Sequence, residues 1–299
     1  MHIETLKVFC DLVDLESFSL AAERNFITQS AVSQQIRTLE AKVGRRLLDR
    51  VRGRREVRLT PAGEVLYREA RKVLTAYDQM FESMRGHIGH IGGNVKVACT
   101  YSIGLHELPR KISEFMSLYP SVRIDLEYSR ATKVVRDVLS GAVELGVLAF
   151  PESRRGINII EMPSDRLALV CPPGHRLAAR SRVTTRELDG IEFVHFERDT
   201  PTRKATEKLL KAGGAEVKKV AEFDNIETIK RAVEVGIGVA ILPLPSVIEE
   251  QRAGTLSIVR LAEKEWIRPL GIIHRSDKNL SLAAKKFVQL LTKSSKDTE

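Results

Sequence analysis

No apolar run in this 299-residue chain approaches the ~20 residues that cross a bilayer, so a helical membrane span is excluded. The opening segment, MHIETLKVFCDLVDLESF, mixes acidic and basic residues along an amphipathic helix. It lacks the charged-then-apolar order of a secretion signal, and the expected location is the cytoplasm. Cysteine is scarce: Cys10, Cys99 and Cys171 are far apart, which argues against a disulfide framework. Each falls among apolar residues, as a small core residue would. His87 and His90, in HIGHIGG, have no third ligand nearby and read as loop residues, so no metal is expected. The phosphate loop ending in Gly-Lys-Ser/Thr, the Gly-x-Ser-x-Gly elbow and the His-Glu-x-x-His metal motif are all missing. Gly236-Ile237-Gly238 precedes a strand and fits a turn. No catalytic residue and no cofactor is therefore assigned.

What is present is positive charge and enough apolar material for real cores. Lys and Arg number 48 against 39 Asp and Glu, a net charge of +9, with 43% hydrophobic residues. The length allows two or three compact units. The excess of base favours a polyanionic partner. It is concentrated locally: Arg37, Lys42, Arg45, Arg46, Arg50, Arg52, Arg54, Arg55 and Arg58 stand against only Glu40, Asp49 and Glu56.

Just before that cluster, Ser19–Glu40 reads as two helices joined by a tight turn. Thr28 is a good N-cap for the second. Val32, Ile36, Leu39 and Val43 form one apolar stripe, while Ser30, Ser33, Gln34 and Arg37 share a separate polar face, with Gln29 beside them. These are side chains that bond base edges or phosphates in the major groove. An ordinary solvated polar face would look the same on this helix alone. Ala21 and Ala22 permit close approach of the preceding helix, and Phe26 and Ile27 are expected to plug the turn. Leu47–Arg50 and Val57–Leu59 read as short strands with Arg52-Gly53-Arg54-Arg55 between them, a basic wing in which Arg52 and Arg54 would hold phosphate or the minor groove.

Thr60-Pro61 then opens a long helix, an N-cap followed by Pro at the first position, running to about Arg85. Leu66, Ala70, Val73, Tyr77, Met80 and Met84 form a near-heptad seam suited to a second helix. Gly86, Gly89, Gly92 and Gly93 read as a hinge. From Asn94 strands and helices alternate, predicting α/β structure with largely parallel sheets. A single helix is expected over Leu105–Leu118. Two strand ends are rich in hydroxyls: Thr100-Tyr101-Ser102 and Asp199-Thr200-Pro201-Thr202. Free amides and hydroxyls at such ends suit a small carboxylate, phosphate or sulfate, or serve simply as N-caps. Asp199 counts against a strongly anionic ligand unless it points away.

The first 65 or so residues resemble the N-terminal domain of LysR-type transcriptional regulators. Phe9, Ser17-Phe18, Ala21-Ala22, Thr28-Gln29-Ser30-Ala31-Val32-Ser33, Ile36, Leu39-Glu40, Gly44, Leu47, Arg50 and Leu59-Thr60-Pro61-Ala62-Gly63 keep the family's order and spacing. The resemblance implies a winged helix-turn-helix (1–60), a linker and dimerisation helix with hinge (61–93), and a two-lobed α/β effector domain of periplasmic-binding-protein type. Its lobe I would comprise 94–163 and 268–299, and lobe II 164–267, with the last strand and helix returning to the first lobe. It places an effector pocket between the lobes at Thr100, Ser102, Ser129, Thr200 and Thr202. It further implies operator DNA read by Gln29, Ser30, Ser33, Gln34 and Arg37, a homodimer assembling to a homotetramer, and activation as the usual output, with RNA polymerase a candidate partner. A solute-binding protein would use the lobes but not the wing. An architectural DNA-binding protein would use the wing but not the lobes.

Overall fold

The computed structural model describes residues 2–49, 57–86, 91–263 and 266–293. The wing turn with Arg52 and Arg54, and the loop with His87 and His90, lie outside the described residues. Two compact units are present, one reaching to residue 90 and the other beginning at Ile91.

The first unit contains α1 (Ile3–Leu15), α2 (Phe18–Arg24), α3 (Gln29–Val43), β1 (Leu48–Asp49), β2 (Arg58–Leu59) and α4 (Pro61–Gly86). Phe9, Leu12, Ala21, Val32, Ile36, Leu39 and Leu47 are buried together. Ser17 and Thr28 accept from the first-turn amides of Leu20 and Ala31, which starts α2 and α3 where the chain must turn. Val43 departs from the stripe and is exposed, because α3 ends beside it: Gly44 adopts φ 70° and its amide reaches the Glu40 carbonyl at 2.8 Å. Glu40 also accepts from the Leu47 amide at 2.8 Å, locking the exit toward β1, which pairs antiparallel with β2.

Thr60 caps α4 through the Gly63 amide at 3.0 Å. Gly63 has to be glycine, since a Cβ there would lie 2.0 Å from the Leu47 carbonyl oxygen. Leu66 and Ala70 pack into this unit's core, whereas Val65, Val73, Tyr77, Met80 and Phe81 leave an exposed apolar stripe. Ile27 packs in the core as expected of a turn residue, but Phe26 does not: it is 96% exposed.

The second unit is built on a mixed sheet. β3 (Gly93–Cys99) pairs parallel with β4 (Val122–Tyr128) and with β5 (Leu145–Ala149). Gly92 packs against Ser121 and Gly93 pairs with Val122, so these glycines begin the sheet rather than a hinge. The long strand β6 (Ile157–Cys171) leaves the first lobe and continues into the second. There it pairs antiparallel with β10 (Ala240–Pro243) and β11 (Ser257–Leu261), the latter pairing with the short β7 (Arg182–Val183). β8 (Glu192–Phe196) and β9 (Lys218–Phe223) form a parallel pair beside them. β12 (Ile267–Arg275) comes back antiparallel between β5 and β6. The expectation of largely parallel sheets is corrected here: a strand that crosses between lobes and one that returns must run in opposite directions.

Helices cover both faces of each lobe. α5 (Tyr101–His106), α6 (Leu108–Leu118) and α11 (Leu282–Thr292) bury Ile103, Phe115 and Phe287 on one face of the first sheet. On its other face α7 (Ala131–Ser140) buries Val134 and Val138. In the second lobe α8 (Pro201–Ala212) and α9 (Ile226–Glu234) pack Leu210 and Ile229 on opposite faces, and the short α10 (Ile248–Ala253) follows β10. The single helix expected over Leu105–Leu118 is two helices broken at Glu107, where Pro109 supplies no amide hydrogen to a continuous ladder.

Candidate functional site

Two arrangements carry chemistry. In the first unit, Gln29, Ser30, Gln34 and Arg37 are exposed along one side of α3, with Ser33 half-buried between them. Their backs are fixed by Val32, Ile36 and Leu39, so the face is rigid. Asn25, in the turn before α3, donates to Asp11 at 2.9 Å, and Arg24 pairs with the same carboxylate, tying the helix pair to α1. The helix holds these backbones in fixed register, so only the long side chains of Gln29, Gln34 and Arg37 have to be ordered when they meet a groove.

In the second unit a cleft of about 660 Å³, counted to its open mouth, lies between the lobes. Its walls include all five residues expected there: Thr100, Ser102, Ser129, Thr200 and Thr202. The N-termini of α5, α7, α8 and α9 supply Tyr101, Ala131, Pro201 and Ile226 to the same walls. First-turn amides have no partner within their own helix, and the helix dipole adds partial positive charge there. Four such ends around one cleft favour an anion, although Thr200 and Asn225 already cap the Arg203 and Glu227 amides, Pro201 has no N–H, and Asp199 and Asp224 share the lining.

The five hydroxyls are not equivalent. Thr100 precedes α5 without capping it, and its Oγ1 is buried with no hydrogen-bond partner. Thr200 does cap its helix: it accepts from the Arg203 amide and donates to the Glu197 carbonyl, which leaves one lone pair. Ser102 accepts from Arg268 Nη1 at 3.0 Å, which keeps its O–H free to donate elsewhere. Ser129 and Thr202 are nearly buried, and their hydroxyls have no partner among the described residues.

Sequence reasoning missed two arginines. Arg130, on the lip of lobe I, reaches three carboxylates of lobe II: Glu197 at 2.9 Å, Asp224 at 3.3 Å and Asp199 at 3.7 Å. Asp199 does not leave the cleft: it lines it together with Arg130 and Asp224, and its charge is countered there by the Arg130 guanidinium. His106 and Glu227 make a second link between the lobes at 2.9 Å. Arg268 is completely buried where β12 shifts register, and it pairs with Asp165 of β6 beside Ser102. A run of charge along the chain would not single out either residue, since both acquire partners only from distant segments.

Glu107 lies beside this buried pair, 4.0 Å from Arg268. Burial first, and then the neighbouring Asp165 carboxylate, hold its pKa above the usual value, while Arg268 opposes them. The stability owed to its proton is full below the unfolded carboxylate range and is lost as pH rises through the folded value. Glu107→Gln is therefore expected to raise the Tm at pH 8 by about 2–4 °C and to change little at pH 4. A pH series of thermal melts checks this; a gain of equal size at both values would show that the charge is not the cause.

The buried thiols take no part. Burial pushes Cys99 up to about 12 and Cys171 up to about 11, so neither forms a reactive thiolate near neutral pH. His195 is lowered to about 3, chiefly by burial and then by Arg203 and Lys219, and stays neutral. Among the described residues no cluster suits a metal ion, and no helix is long and apolar enough to cross a membrane.

Comparison with known proteins matches residues 3–64 to the bacterial regulatory helix-turn-helix proteins of the lysR family and residues 89–296 to the LysR substrate binding domain. A probable RuBisCO transcriptional regulator of Synechocystis is 27% identical over 96% of this chain and 84% of its own length. A full-length OxyR variant from Pseudomonas aeruginosa shares the fold with a TM-score of 0.74 at 21% identity, covering 98% of this chain and 93% of its own. Full-length CbnR complexed with its target DNA gives 0.70 at 21% identity, covering 97% of this chain and 99% of its own. The regulatory domain of Synechocystis CcmR in complex with 2-PG gives 0.63 at 22% identity, covering 68% of this chain and 99% of its own.

Proposed function

Because the chain belongs to the LysR family of transcriptional regulators, we propose that it is a DNA-bound switch, most simply an activator, controlled by a small anionic metabolite held between its two effector lobes. It is a regulator and not an enzyme. The observation that carries the ligand class is the convergence of four helix N-termini on a cleft that contains the unpartnered Thr100 hydroxyl. Thr100, Ser102, Ser129 and Thr202 would donate hydroxyls to the ligand, while Thr200, whose O–H is taken by the Glu197 carbonyl, would position the start of α8 beside it. The ligand bound by the CcmR domain supports a small molecule at the equivalent unit.

Arg130 supplies the means of control. A carboxylate or phosphate entering the cleft competes with Glu197, Asp199 and Asp224 for its guanidinium, and so alters what links the lobes. The ligand shifts the equilibrium only by its differential affinity for the two arrangements.

On the DNA side, Gln29, Ser30, Ser33, Gln34 and Arg37 read or position, and Arg52 and Arg54 in the wing hold the backbone. The exposed stripe Val65, Val73, Tyr77, Met80 and Phe81 along α4 supports pairing with a second subunit. Two recognition helices would then face two half-sites. We assign 1–60, a linker from 61 that ends before Gly92 and the start of the sheet, 92–163 with 268–299, and 164–267, a tetramer of two such dimers in the cytoplasm, and RNA polymerase as the further partner that activation requires.

A thermal-shift screen of small carboxylates and phosphate esters tests the ligand class. A compound at about 100 times its dissociation constant adds about 2.7 kcal/mol to the native state. Anionic compounds are expected to raise the wild-type Tm, and Thr100→Val and Thr202→Val should each abolish most of that shift while leaving operator binding intact. Shifts produced only by neutral or cationic compounds, or shifts untouched by both substitutions, overturn the assignment.

A further inference from the structure

Phe26 occupies the tight turn between α2 and α3. Its φ is 55°, a left-handed backbone region that crowds a side chain bearing a Cβ. Its ring is 96% exposed. Neither property is a loose end of a mobile loop, because the turn is closed by backbone bonds: Asn25 N to Ala21 O at 3.2 Å, Phe26 N to Glu23 O at 3.1 Å and Ile27 N to Ala22 O at 3.0 Å. Glycine or asparagine would suit this backbone better and would leave no apolar surface in water. A phenylalanine here bears two costs, strain and exposure, and gains nothing within its own unit. Such strain marks places where function decides the residue.

What could cover the ring is constrained by its surroundings. Beyond the half-buried Ile27, Thr28, Gln29 and Ser30 are exposed, as are Arg24 before the turn and Arg37 further along α3. A membrane or an apolar protein face would have to desolvate these groups. A major groove would not, because it is polyanionic at its rims and offers hydrogen-bonding base edges. Its one apolar feature is the thymine C5-methyl, against which phenylalanine packs.

We propose that Phe26 is a specificity residue that packs on a thymine methyl at the edge of the half-site presented to Gln29. The inference rests on the reading of α3 as the recognition helix, and it adds an apolar contact to what had been a wholly polar reader.

The test uses the full chain. A bound duplex is first selected from a randomised library with the wild-type protein, and its thymines are then replaced one at a time by deoxyuridine, which lacks only the methyl. Phe26→Asn, which tolerates the left-handed turn, should melt at the wild-type temperature or above it, yet bind the selected duplex about tenfold more weakly. Deoxyuridine at one position in each half-site should weaken the wild type about fourfold per methyl and leave Phe26→Asn unchanged. Wild-type affinity in Phe26→Asn overturns the proposal. So does a weakened variant that remains as sensitive to every deoxyuridine as the wild type. Phe26→Leu should recover part of both effects, and equal loss in Phe26→Leu and Phe26→Asn counts against it. Gln29→Ala separates the two readings. If it too binds with unchanged discrimination, α3 is not the reader and the inference falls with it. If Gln29→Ala loses discrimination while Phe26→Asn does not, only the inference falls.

Discussion

Arg268→Met is expected to cost about 3–5 kcal/mol of stability in the effector unit, the usual price of removing one partner from a buried ion pair. Arg268 has no solvent exposure, and its guanidinium bonds Asp165 and the Ser102 hydroxyl together. Removing it leaves Asp165 buried without a cation, close to a second carboxylate, Glu107. Methionine fills most of the volume, so the loss is electrostatic rather than a cavity effect. The double variant Arg268→Met with Asp165→Asn should recover most of the loss, because the orphaned charge is gone. Urea denaturation of the four members of this cycle measures the coupling. A loss below about 1 kcal/mol, or no recovery in the double variant, would show that the pair does not hold the point where β6 and β12 pass between lobes.

Gln29→Ala is expected to reduce discrimination between a selected operator and random duplex by about 1–3 kcal/mol, or roughly 5- to 150-fold. Affinity for random duplex should barely change, since most of it comes from phosphate neutralisation. Arg54→Ala in the wing should do the reverse: it should weaken both duplexes alike and flatten the salt dependence by about one unit of slope. Competition binding at several salt concentrations separates the two. Unchanged discrimination in Gln29→Ala would remove Gln29 as a reader.

The first unit was legible because its signals are local. A cap at Thr28, apolar residues at Val32, Ile36 and Leu39, and the Thr60-Pro61 start each act within one or two helical turns. The failures there were also local in origin. Hydrophobicity alone makes both Phe26 and Ile27 plugs of the turn, but at Phe26 the left-handed backbone leaves the ring in water, and only Ile27, half-buried, packs against the core. Val43 kept the helical period but fell at the very end of α3.

The cleft was legible by half. Thr100 and Thr202 stood out as hydroxyls at strand ends, and the structure brings both, with Ser102, Ser129 and Thr200, to one wall-lined space. The expected continuous helix over Leu105–Leu118 obscured Glu107, whose carboxyl reaches inward at the break.

By itself the sequence determined the family, the helix-turn-helix and its polar face, and the alternation of strands and helices, because capping, periodicity and turn chemistry depend on residues close along the chain. Only the tertiary structure decided which charges matter. Arg130 meets Glu197 and Asp224, and Arg268 meets Asp165, across about seventy to a hundred residues of chain. The strand that leaves lobe I and the strand that returns to it bring those partners together, and no local pattern encodes that pairing.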